Sequence, residues 1–272
     1  MISSLLTGDS KAMLQDLIRL NPVLSFFVLA LAITWIAFIH FYLAGGETAA
    51  LFTFGPFVAA VIVSAIVGGR PRVWTLLRSI AHWRVGPIWY LVAIGFPIAV
   101  QLLANWLNPV LGSGPGNWSA IPPAGQIAVT VAILAIFSGP LGEEPGWRGF
   151  AVPELLQRHA AVGVSLMVGI VWSTWHLPLA LLGEYSLFAA LLTTIAAFVF
   201  TWLWQNTQGS VLLAILMHVS HQNSARFLAR IYEGPYKAQQ QWITFAIWLA
   251  AAVVIVVVCG TRSFRHGVGR EL

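Results

Sequence analysis

The sequence predicts an all-α fold: a polytopic membrane helical bundle with about eight transmembrane helices and both termini cytoplasmic. Three observations carry this. Hydrophobic residues make up 58% of the 272 residues and charged residues only 8%, against about 25% charged in an ordinary soluble domain. The apolar residues fall in long runs near the ~20 residues that a helix needs to cross a bilayer. The cationic residues fall on one set of connections. So few charges cannot cover a soluble surface, which excludes a soluble globular protein, a disordered chain and a nucleic-acid binder.

The runs give spans at roughly 22–44, 51–68, 87–106, 125–144, 162–182, 187–205, 211–229 and 242–260. Asn21-Pro22 opens the first, with an N-cap side chain followed by proline at the first helical position. That run is too long for a signal-peptide core, so it reads as an anchor that stays. Before it, residues 1–21 read as an interfacial helix, with Met13, Leu14, Leu17 and Ile18 on one face and Lys11 and Arg19 beside them. Trp74 to Arg84 has a similar character. With the N-terminus inside, eleven of the 14 Lys and Arg residues lie on cytoplasmic segments; only Arg226, Arg230 and Lys237 lie outside. Segment 107–124 is an uncharged external loop rich in Pro and Gly. No repeat or linker divides the chain, so residues 1–272 read as a single transmembrane domain. Cys259 is the one cysteine, which excludes an internal disulfide. With no long soluble domain or targeting extension, the expected location is a cell membrane, of the prokaryotic plasma-membrane kind.

The nine acidic residues mostly sit in loops and tails, but Glu143 and Glu144 end a hydrophobic run. One ionisable group at membrane depth costs on the order of 3 kcal/mol, and two adjacent carboxylates cost more. The bland reading is a helix end reaching for the interface with Arg148 as partner. Against it, His176 and His218 lie inside two further apolar runs, so three long helices carry buried titratable groups, the pattern of a functional cluster. The polar break Gln157-Arg158-His159 is centred within two residues of 159.5, the midpoint of Glu143 and His176. An antiparallel hairpin of equal rise then sets those two residues level, provided the fourth helix continues, kinked, past Pro145. His218 lies about 12 Å into the seventh span at 1.5 Å per residue, so all three can meet in the cytoplasmic half of the bilayer. Glu144 and Arg148 are four apart and pair on one face, while Glu143 projects about 100° away toward the histidines. A carboxylate poised beside two imidazoles is suited to activating water against a carbonyl.

These residues carry a resemblance. Glu143-Glu144-Pro-Gly-Trp-Arg148, Trp172-Ser-Thr-Trp-His176 and His218-Val-Ser-His-Gln222 resemble the three motifs of the CAAX-protease and bacteriocin-processing (CPBP) intramembrane peptidases, which include the type II prenyl endopeptidases. The family pattern is Glu-Glu-x-x-x-Arg, an aromatic with His four later, and His-x-x-x-Asn or Asp, each on its own helix. The similarity spans a peptidase core of about 125–230. It implies that Glu143 activates water with Glu144 and His176 in support, and that His218 and a carboxamide bind the oxyanion. It also leaves open a zinc site of Glu143, His176 and His218, since the family has been described both as metalloproteases and as glutamate proteases. The third motif departs from the pattern: Gln222 stands four after His218 and Asn223 five after. Gln222 is the geometric match, whereas a local π-bulge would bring Asn223 round. His221 stays near the same face.

The implied partners are a peptide or membrane-protein substrate and membrane lipid. Other intramembrane proteases fail on inventory. The two aspartates, Asp9 and Asp16, lie outside every span; His-Glu-x-x-His is absent; Ser138, Ser173 and Ser220 lack a Gly-x-Ser-Gly context. Two alternatives stay open: a proton-coupled transporter using the same Glu and His residues, and a non-catalytic membrane partner with an immunity or scaffold role. The thirteen tryptophans read as interfacial belts, with no catalytic role assigned.

Overall fold

The computed structural model describes residues 2–45, 53–137 and 139–265. Glu47, Ser138, Arg270 and Glu271 lie outside these residues, as do the first two positions of the predicted 51–68 span. All regular structure among the described residues is helical: α1 Ile2–Leu20, α2 Pro22–Leu43, α3 Gly55–Ile80, α4 Pro87–Val110, α5 Ala124–Phe137, α6 Pro140–Gly146, α7 Val152–Leu156, α8 Ala161–Trp175, α9 Leu177–Leu181, α10 Leu187–Asn206, α11 Val211–Leu228 and α12 Gly234–Cys259. A π-turn, Trp147–Ala151, joins α6 to α7.

Six stretches among the described residues are long and apolar enough to cross a membrane: Pro22–Leu43, Gly55–Ile80, Pro87–Val110, Ala124–Leu156, Leu187–Asn206 and Gly234–Cys259. The molecule is a polytopic helical bundle. The two predicted spans that fall short are those carrying the histidines. The apolar helix α8 stops after 15 residues, immediately before His176. In α11, polar residues follow Met217, and Ser220, Asn223 and Ser224 are all buried. That helix packs among α3, α4, α5, α6 and α10, so protein rather than lipid surrounds its polar side chains, and an apolar exterior is not required of it.

An ion pair and hydrogen bonds tie the two ends of the bundle. At one end Arg72 pairs with Glu154, Ser210 Oγ donates to the carbonyl of His82 at 2.6 Å, and the amide of Ala161 donates to the carbonyl of Arg262 at 3.0 Å. This end gathers the cationic connections that the sequence assigns to one side. At the other, the amide of Asn117 donates to the carbonyl of Ile231 at 2.9 Å and Gln239 Nε2 donates to the carbonyl of Leu111 at 3.1 Å.

Several boundaries differ from the sequence reading. Asn21 occupies the N-cap position of α2, but its side chain makes no capping bond. Its backbone instead stays in the helical hydrogen-bond run, donating to Leu17 and accepting from Ser25. Helix α3 breaks at Gly69, where φ is +63°, and the interfacial segment expected at Trp74–Arg84 is largely its second half. Helix α12 begins at Gly234, eight residues before the apolar run. Its polar opening is not solvated: Gln240 is fully buried and donates from Nε2 to Asn105 Oδ1 at 3.0 Å. Helix α1 leaves Met13, Leu14, Leu17 and Leu20 exposed while Ile18 is buried, an apolar face available to lipid.

Candidate active site

The break that shapes the site precedes the glutamates. The sequence places a kink at Pro145, but the backbone turns at Gly139, whose φ of +124° is open to glycine and strained for other residues. A Cβ there would also stand 2.5 Å from Glu143 Oε1, so the missing side chain makes room for that carboxylate. Pro140 then starts α6 at a position where its absent N–H is not needed. Pro145 is absorbed by the π-turn that follows it. Gly142 and Gly146 lie against α3 and the turn before it, where a Cβ would come within 2.4 Å of the Thr53 carbonyl oxygen and 2.6 Å of Pro56. Small residues thus let the glutamate helix seat directly on a neighbouring backbone.

Glu144 and Arg148 are both 0% exposed. Arg148 Nη1 lies 3.0 Å from Glu144 Oε2 and donates to Oε1 at 3.1 Å, as the four-residue spacing predicts. His218 Nδ1 donates to the same Oε1 at 2.7 Å. Glu144 is therefore held by a cation and an imidazole together, so the direct hydrogen bond of His218 goes to Glu144 rather than to Glu143. The Arg148 guanidinium is sandwiched between the rings of Trp172 and Phe200, each centroid 4.3 Å from Cζ. A planar, weakly hydrated guanidinium suits such a site. The rings exclude water, so removing either partner would leave an unpaired buried charge.

Glu143, also buried, accepts from Trp172 Nε1 through Oε2 at 2.6 Å. Trp172 is the residue of this cluster to which the tryptophan reading gave no role. It is 4% exposed, bonded to one glutamate, stacked on the arginine that holds the other, and edge-on to His218 at 5.4 Å. Its place as the aromatic four before His176 was the available signal. The carbonyl of Trp172 also takes the His176 Nδ1 proton at 2.9 Å, because a carbonyl can only accept. Nε2 of His176 is then the lone-pair nitrogen of the neutral ring. Glu143 thus meets α8 at Trp172, one turn before His176. A π-turn packs more residues into the same rise, which lowers Glu143 toward the hairpin.

His176 caps the C-terminus of α8, and its ring stacks on Tyr185 with centroids 4.4 Å apart and planes within 6°. Burial pushes the Tyr185 phenol up to about 12, against a smaller opposing effect of its bond to Thr193. The hydroxyl therefore keeps its proton throughout the physiological range.

The third motif divides. Helix α11 is α-helical throughout, so no π-bulge brings Asn223 to the cluster; the π-turn lies at Trp147–Ala151 instead. Asn223 Nδ2 donates to the carbonyl of Val219 at 2.8 Å. Its side chain lines an apolar cavity of about 410 Å³ walled by Ile94 and Ile98 of α4, Ile127 and Val131 of α5, and Leu216 of α11. Gln222 is half-buried one turn beyond His218. His221 packs edge-on against Trp248 at 5.0 Å, on the α12 side. Among the described residues no three of His, Cys, Asp and Glu are gathered as metal ligands. Glu143, His176 and His218 spend one atom each on Trp172 Nε1, the Trp172 carbonyl and Glu144, a pattern of second bonds that metal-binding histidines also make.

Residues 125–223 match the family model described as type II CAAX prenyl endopeptidase Rce1-like. The matched segment contains Glu143, Glu144, Arg148, Trp172, His176 and His218. A CAAX prenyl protease 2 of Methanococcus maripaludis is 32% identical over 88 residues, which cover 28% of this chain and 32% of that relative. The alignment thus spans about a third of the relative's length. The segment bearing the three motifs is thus similar to CAAX-protease sequences, in line with the motif resemblance.

Proposed function

We propose that this membrane-embedded segment is an endopeptidase, hydrolysing a peptide bond near the cytoplasmic membrane face with water activated by Glu143. The observation that carries the reading is the division of labour between two adjacent buried carboxylates. Both oxygens of Glu144 lie within 3.1 Å of Arg148 or His218, so Glu144 orients and charges its neighbours. Glu143 is held through Oε2 alone by a neutral indole, and Oε1, above Gly139, is the oxygen assigned to the water. His176 Nε2 accepts the water's second hydrogen bond. Attack on the scissile carbonyl transfers the water proton to Glu143, and His218, with Glu144 behind it, donates from Nε2 to the developing oxyanion. Glu143 then delivers its proton to the departing amine. Gln222 is the carboxamide assigned to the same oxyanion.

The name of the Methanococcus relative points to prenylated C-terminal peptides, so the test compares reporter peptides with and without a prenyl group in nanodiscs. Wild type is expected to cleave, and Glu143→Gln to lose about 10²–10⁴-fold in rate while unfolding at the same temperature. Full activity in Glu143→Gln would overturn the reading. Cleavage that a chelator abolishes would transfer Glu143 and the histidines to a metal mechanism. The position of Asn223, turned into the α4–α5 cavity, favours a second reading: a non-catalytic membrane partner that keeps the fold. Absence of cleavage by folded wild type, with Gln222→Asn equally silent, would select it.

A further inference from the structure

Outside the motif residues, one side chain is built against the site with unusual completeness. Helix α8 ends at His176, and the chain makes a short turn, α9, before reversing. Gly183, with φ of +77°, closes that turn: its amide donates to the Ala180 carbonyl at 3.1 Å and the next amide, of Glu184, to the Leu179 carbonyl at 2.9 Å. The reversal delivers Tyr185 back onto the imidazole it has just passed, in the 4.4 Å parallel stack. The far end of the phenol is anchored to α10, hydrogen-bonding the Thr193 hydroxyl at 2.7 Å and the carbonyl of Ala189 at 3.1 Å. Ser173 ties the same two helices, donating to the Ala190 carbonyl at 2.7 Å. On its other side the His176 ring meets the Trp175 ring edge-on at 4.8 Å. Without Tyr185 the imidazole, at a helix end and only partly buried, would keep the Trp172 bond but lose the wall that fixes its plane.

We propose that Tyr185 is a positioning residue: its ring fixes the plane of His176, and thereby keeps the Nδ1–H on the Trp172 carbonyl and the lone pair on Nε2. This rests on the reading of His176 as a group that holds the attacking water. Ring stacking, not the hydroxyl, contacts the histidine, so the two parts of the side chain separate experimentally. Tyr185→Phe keeps the stack and is expected to retain the wild-type ¹⁵N signals of His176 and a kcat within about threefold of wild type. Tyr185→Leu removes the stack and is expected to lower kcat about three- to tenfold with KM unchanged, and to shift the His176 ¹⁵N signals toward a mixture of tautomers. Should the leucine variant not fold, Tyr185→Met makes the same test with a longer apolar side chain. Unchanged His176 signals in the leucine or methionine variant would overturn the proposal. Altered His176 signals in a protein whose wild type cleaves no reporter would uphold the positioning and defeat the peptidase reading instead.

Discussion

Two clusters of buried polar side chains are built on opposite plans. Around Glu143 and Glu144 the groups are charged, drawn from α6, α8 and α11 with the π-turn, and sheathed by Trp172 and Phe200. Between α4 and α12 they are neutral carboxamides: Asn105 Nδ2 donates to the Leu228 carbonyl at 3.0 Å, Asn108 Nδ2 to the Tyr236 carbonyl at 3.1 Å, and Gln240 Nε2 to Asn105 Oδ1. Amides that satisfy backbone carbonyls join helix ends at modest desolvation cost. Buried carboxylates beside a guanidinium are far more expensive to assemble than stability alone would justify. The contrast separates a cluster that holds helices together from one whose cost accords with the proposed chemistry.

Substitutions that affect one cluster and spare the other test that contrast. Arg148→Leu is expected to have the largest effect, destabilising the protein by about 3–5 kcal/mol because the buried Glu144 loses its permanent cation and keeps only the His218 bond, with cleavage lost as well; thermal unfolding in detergent reads the first and the reporter assay the second. Wild-type stability in this variant would mean that water reaches the cluster. Trp172→Phe retains a ring over Arg148 but deletes the N–H that holds Glu143, so cleavage is expected to fall about 10–100-fold, as for a lost hydrogen bond to a charged group, with a much smaller change in unfolding. Gln240→Leu is expected to have the smallest effect, about 1 kcal/mol of stability and an unaltered rate. A rate loss there would show that the two clusters are coupled.

The sequence displays those features of the site that rest on spacing. Glu144 and Arg148 pair because residues four apart share a helix face, and the hairpin at 157–159 brings α8 beside the glutamates because a short polar break permits only an antiparallel return. Features set by side-chain reach or backbone irregularity were not legible. The indole of Trp172 arrives at Glu143 from across the hairpin, at a level displaced by the π-turn. His218 hydrogen-bonds Glu144 rather than Glu143, a choice that side-chain reach and packing make and spacing does not. The polar opening of α12 is invisible to a hydropathy window, since Gln240 is buried through a partner 135 positions away. Tyr185 belongs to a turn whose path depends on one glycine.

The π-turn at Trp147–Ala151 has a consequence for sequence length. Each of its hydrogen bonds spans one residue more than an α-helical bond, so the stretch from Glu144 to Glu154 holds a supernumerary position. Deleting a residue from an ordinary helix rotates everything beyond it by about 100°. Here, removing Gly149 would let the turn relax to α-helix while α6 and α7 kept their mutual phase. In this helix, a one-residue gap between related chains is therefore best tolerated at this turn, where it would leave the glutamates facing the same neighbours.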